Sequence, residues 1–166
     1  MKRFLSIVLL TFISVTFLAG CAPDVPRPEV REGRFNISVT YEQDGEVKEA
    51  SAVYVCEYKG IAWTLEAQPY VNWKESFEGD IKDGGVIPIC NTDDGGEIFI
   101  SLLLYPEYFM GDPNYAEYTP IVRMELFYDD EQTDDAEIIA EYGVKLIGFE
   151  YDEPIENTFS CKGEAL

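Results

Sequence analysis

From Arg34 the chain alternates apolar and polar positions. Phe35, Ile37, Val39 and Tyr41 fall on one side and Asn36, Ser38 and Thr40 on the other, the period of a half-buried strand. Asp44-Gly45 supplies a tight hairpin turn, and the chain returns from Val47 to Tyr58 with Val53 and Val55 opposing Tyr54, Cys56 and Tyr58. Lys59-Gly60 predicts a second turn and Ile61 to Leu65 a third strand, which completes an antiparallel meander. Gln68 to Gly85 is less regular and reads as loop with one short strand over Phe77 to Ile81. Val86 to Cys90 predicts a strand that Pro88, lacking an N–H, confines to an edge or a bulge. Asn91 to Gly96 predicts a hairpin loop, and Glu97 to Tyr105 is apolar enough to belong in the middle of a sheet.

Pro106 to Pro120 is a long aromatic loop, and Ile121 to Tyr128 resumes a strand. An acidic connector, Asp129 to Asp135, then opens a short helix. Asp134 is its expected N-cap, Glu137 its third residue, Ile138 and Ile139 its buried side and Gly143 its stop. Val144 to Tyr151 is the last strand, followed by a polar tail over 153–166. Short strands separated by turns, with one late helix, predict a mainly β domain over 34–152: an antiparallel β-sandwich, immunoglobulin-like in layout. The immunoglobulin signature is missing, since Trp63 follows Cys56 by only seven residues and no Tyr-x-Cys marks a late strand.

The first residues have another character. Lys2 and Arg3 precede an apolar run from Phe4 to Leu18, the layout of a secretory signal, and the run is shorter than the ~20 residues a spanning helix needs. Leu18-Ala19-Gly20-Cys21 resembles the lipobox of bacterial lipoproteins. The resemblance implies that residues 1–20 are a signal peptide, that the Cys21 thiol carries a diacylglyceryl group, and that the mature chain begins there as an extracytoplasmic, lipid-anchored membrane protein. Residues 21–33, with Pro23, Pro26 and Pro28, read as a stiff tether reaching on the order of 35 Å. The stretches Phe35–Tyr41, Val53–Tyr58 and Glu141–Lys145 also resemble uncharacterised lipoproteins of anaerobic Gram-positive bacteria, a likeness that implies no activity.

Loss of residues 1–20 lowers the basic residues from 12 to 10 against 32 acids, so the formal charge goes from -20 to -22. Such a charge repels nucleic acid and anionic headgroups and keeps the domain soluble. The chain has no histidine, which removes the Ser-His-Asp and Cys-His constellations and the commonest zinc ligand, although carboxylates, Tyr and Lys remain as acids and bases. Among the cysteines after Cys21 the spacing selects no pair. Cys56 with Cys90 is the expected disulfide because both lie in predicted strands, with buried thiols as the alternative.

Three stretches are candidates for function. Asn91, Asp93 and Asp94 precede glycines as in calcium loops, but the position of an EF-hand's closing glutamate is Leu102, and a hairpin turn explains the same residues. Asp129, Asp130, Glu131, Asp134 and Asp135 form an acid cluster suited to a solvated connector and a helix start. Tyr108, Phe109, Tyr115 and Tyr118 are candidate binding residues, since Tyr-bearing loops recognise partners at small entropic cost, or else they fold back as a lid. The expected function is therefore a non-enzymatic, monomeric envelope lipoprotein without cofactor, binding a protein, peptide or glycan. The alternatives are a small carboxylate-dependent hydrolase and a calcium-stabilised adhesion module.

Overall fold

The structure is a computed structural model that describes residues 25–82, 84–128 and 131–161. The signal segment, Cys21, Pro23, Asp83, Asp129, Asp130 and residues 162–166 lie outside the described residues. The fold is mainly β and antiparallel. Its elements are β1 (Arg27–Pro28), β2 (Glu32–Gln43), β3 (Glu46–Trp63), β4 (Pro69–Gly79), β5 (Val86–Asn91), β6 (Glu97–Leu103), α1 (Pro106–Phe109), β7 (Ile121–Tyr128), β8 (Glu131–Thr133), α2 (Ala136–Ala140), β9 (Val144–Tyr151) and β10 (Phe159–Ser160). One sheet has the order β4-β3-β2-β9 and the other β5-β6-β7-β8, while β1 and β10 form a separate two-stranded ribbon.

The alternation in β2 decides what faces inward. Phe35, Ile37 and Val39 are buried and pair with Tyr54, Ala52 and Ala50 of β3, so large residues on one strand meet mostly small ones on the next. Ile98, Ile100 and Leu102 of β6 and Met124 and Leu126 of β7 complete the core from the second sheet. Burying each such side chain contributes roughly 1.5–3 kcal/mol. Val53 and Val55 lie on the outer face of β3 instead, because the register places Ala52, Tyr54 and Cys56 inside. Asp44 and Gly45 both have positive φ, as the β2–β3 hairpin requires. Pro88 lies on edge strand β5, next to a register shift between Pro88 and Cys90.

Several expectations are corrected. Residues 68–85 are not mainly loop, because β4 runs eleven residues alongside β3. Lys59-Gly60 is not a turn. The register shifts between Tyr58 and Gly60, and the predicted third strand is the continuation of β3 through that bulge. The helix cap is Asp135, whose carboxylate accepts from the backbone N–H groups of Glu137 and Ile138 at 2.9 and 3.4 Å, and α1 adds a helix inside the aromatic loop.

The boundaries of the domain also move outward. The tether over 21–33 and the tail over 153–166 were expected to lie outside the fold, yet β1 pairs with β10 and Pro28 is fully buried. Val30 N–H donates to Asn157 Oδ1, and Asn157 Nδ2 donates to the carbonyls of Val30 and Met110, each at 3.0 Å. An amide side chain thus ties the two terminal segments to the loop after α1. Gly111 has a φ of +68°, and a Cβ there would stand 2.3 Å from the Ile155 carbonyl oxygen, so glycine lets the tail close over this end.

Candidate functional site

The aromatic loop divides into a lid and an outer cluster. Phe109 and Met110 have no exposure, and the Phe109 ring centroid lies 4.8 Å from Phe35 and 5.3 Å from Tyr54. Phe109 is therefore core, which corrects its assignment as a binding residue. Gly33 makes room for this lid, since a Cβ there would lie 2.5 Å from Met110 Sδ. Tyr108 is half-buried, packing edge-on against Phe109 and Tyr151. Tyr115 and Tyr118 lie outside it, where Tyr118, 48% exposed, stacks between Tyr105 and Tyr115 at 5.3 Å from each.

Acids that lie apart in sequence stand in and beside the lid. The buried Tyr54 hydroxyl donates to Glu75 Oε2 at 2.5 Å. Burial raises the Glu107 carboxyl above its ordinary pKa, with Asp112 and Glu75 adding like charge. Asp112 is itself buried, accepting from Asn114 N and Nδ2 at 2.9 and 3.0 Å to cap the turn Pro113–Tyr115.

At the opposite end, Asn91 pairs with Glu97 across the β5–β6 hairpin, and the Gly96 N–H donates to Thr92 Oγ1 at 2.7 Å. Asp94 accepts from the hydroxyls of Thr92 and Tyr142. Those two bonds, Thr92's first, hold its carboxyl below the usual range. The carboxylate of Asp94 thus serves the turn, and among the described residues no group of three or more His, Cys, Asp or Glu converges as a metal site. No disulfide joins Cys56 and Cys90, a second correction. Both are thiols, Cys56 is buried in the core under the lid, and burial pushes its pKa up to about 12.

A concavity lies on the outer face of the first sheet. A groove of about 590 Å³ is lined by thirteen residues of β2, β3, β4, β9 and the turns that follow β4 and β9. Its floor is the paired serines Ser38 and Ser51 beside Val53 and Asn36, small side chains on the outward positions of β2 and β3. Its walls are acidic. Glu78 and Asp80 rise on the β4 side, Glu150 and Asp152 on the β9 side, and Glu49 closes one end.

Three of these acids are held in place. Asp152 accepts from Asn36 N and Nδ2 at 2.7 and 2.8 Å. Asp80 accepts from Ser51 N at 3.3 Å, while Asp80 N–H donates to the Ser51 carbonyl at 2.9 Å. Glu78 forms a two-pronged pair with Arg34, which holds its carboxyl below the usual range. Among the described residues Glu49 and Glu150 take part in no ion pair, so their charge faces the groove uncompensated.

Comparison of the chain with protein-family models, with curated proteins and with solved structures gives no match. Among the described residues no helix is long and apolar enough to cross a membrane.

Proposed function

We propose that the protein is a lipid-anchored envelope module without catalytic activity, which binds a lysine- or arginine-bearing segment of a partner protein in the groove of its first sheet. The observation that carries this reading is the groove itself, a serine floor between acidic walls with the charges of Glu49 and Glu150 left over. A concavity with a few fixed polar groups is the usual form of a binding site, and uncompensated charge selects a partner of opposite sign. The lipobox resemblance supports the anchor.

The hydrolase reading has one observation in its favour, the raised Glu107 beside Glu75 and Asp112. Against it, Glu75 is engaged by Tyr54, and the core residues Phe109 and Met110 fill the end of the sandwich beside Glu107.

The test is a fluorescence anisotropy titration of a labelled oligolysine peptide against the full chain. Binding is expected to weaken with salt and to be lost in the Glu49→Gln, Glu150→Gln double variant. It should persist in Glu137→Gln, Glu141→Gln, which removes the same charge elsewhere. Equal binding of a glutamine peptide of the same length, or equal loss in both double variants, contradicts the reading.

A further inference from the structure

Beyond the last pair of β2 with β3, Glu32 with Glu57, strands β3 and β4 continue as a two-stranded finger. The six residues from Tyr58 to Trp63 project it roughly 20 Å at ~3.3 Å per residue. Its tip is a tight turn with a non-glycine residue in the left-handed region. Thr64 and Ala67 close the turn by an N–H···O bond of 3.0 Å, and Ala67 takes a φ of +58°, a conformation that glycine or asparagine fills at less cost. Leu65, at the outermost position, is fully exposed, with Trp63 53% and Tyr70 40% exposed behind it. Tyr58 and Trp73 pack edge-on at the base, and Trp73 is buried.

The finger also differs from the remainder of the surface in charge. From Tyr58 to Lys74 the chain has one acid, Glu66, and two lysines, in a protein with 32 acids. Lys59 pairs with Glu57 at 2.6 Å, and Arg31 lies over the Tyr58 ring at 5.7 Å. The acidic faces are repelled by anionic headgroups, and this projection is not.

The Tyr58 N–H donates to the Arg31 carbonyl, so the finger leaves the domain at the end where β2 begins and where the N-terminal segment joins it. With β1 pinned to β10, six peptide steps separate Cys21 from Arg27, at most about 20 Å. A domain held that close presents a projection of similar length to the surface that holds it. Trp and Tyr favour the headgroup level of a bilayer, and a leucine ahead of them reaches the acyl boundary.

We propose that the finger of β3 and β4 rests its tip, Leu65 with Trp63 and Tyr70, in the interfacial layer of the membrane that holds Cys21, fixing how the domain stands on the bilayer. This rests on the anchoring of Cys21 proposed above.

The experiment places the full, processed chain in vesicles of phosphatidylcholine and phosphatidylglycerol, with and without lipids brominated near the headgroup. The mass of the purified chain reports the lipid on Cys21. Trp63 and Trp73 are the two tryptophans, and Trp63→Phe identifies the exposed one's emission. The expected results are a blue shift of Trp63 on reconstitution, loss of most of its emission to the brominated lipid, and reversal of both by Leu65→Glu, which leaves the melting temperature unchanged. A lipid-modified chain whose Trp63 is unquenched overturns the finger's contact and leaves the anchor standing. An unmodified Cys21 overturns the anchor and this inference with it. Shielding of Trp63 from iodide that grows with protein concentration without vesicles assigns the tip to a second copy and also overturns it.

Discussion

The hydroxyl of Tyr54, a side chain with no solvent exposure, donates to the carboxylate of Glu75 on edge strand β4 at 2.5 Å. Burial, with Glu75 and Cys56 nearby, raises the phenol's pKa, so it stays a donor at every physiological pH. Glu75→Ala strands that donor in the core and is expected to cost ~1–3 kcal/mol in urea unfolding. Tyr54→Phe should cost less, because water can replace the phenol at the exposed carboxylate. Adding Tyr54→Phe to Glu75→Ala should recover stability, whereas additive losses would show that the bond is incidental.

The same residue explains why β4 was not legible as a strand. Its inward row is Val71, Trp73, Glu75 and Phe77, and a glutamate at the third place breaks the apolar alternation. An edge strand tolerates it, since the carboxylate reaches both solvent and the Tyr54 hydroxyl. Over Ile121–Tyr128 and Val144–Tyr151, apolar β-forming runs bounded by Pro120 and Gly143, the element boundaries were readable to the residue. At β3 the alternation showed two faces without saying which is inward, and the register puts Ala50, Ala52, Tyr54 and Cys56 in the core and Val53 and Val55 outside. The groove had no local signal, because Glu49, Glu78 and Glu150 come from three strands that only the sheet order brings together. The ribbon of β1 and β10 was hidden for the same reason, since prolines that suit a tether equally suit a short edge.

Glu107 gives a pH signature. Its folded pKa is raised, chiefly by burial, so its contribution is fully present below the ordinary carboxylate pKa and is lost as pH rises through the elevated folded value. Glu107→Gln should therefore melt at the same temperature as the wild type in acid and above it at neutral pH. A variant that melts lower at neutral pH would mean that the charged form is held favourably.

The lid is separable from the outer aromatic cluster by mutation. Phe109→Ala removes a ring packed against Phe35, Tyr54 and Tyr151 and is expected to cost ~3–5 kcal/mol. Tyr118→Ala, at an exposed position, should stay within about 0.5 kcal/mol of wild type. Chemical denaturation of the two variants side by side checks the division, and equal losses would contradict it.

The most direct test of the account is the fate of the chain when Cys21 is changed to serine. Each buried methylene contributes ~0.8 kcal/mol, so two acyl chains anchor stably where one is marginal. The wild-type chain is expected to fractionate with membranes, starting at Cys21 with a diacylglyceryl thioether by mass. Cys21→Ser is predicted to remain at precursor mass or to appear in the soluble fraction, with the melting temperature of the domain unchanged. A Cys21→Ser chain that is still cut, lipid-labelled and recovered with the membrane would contradict it.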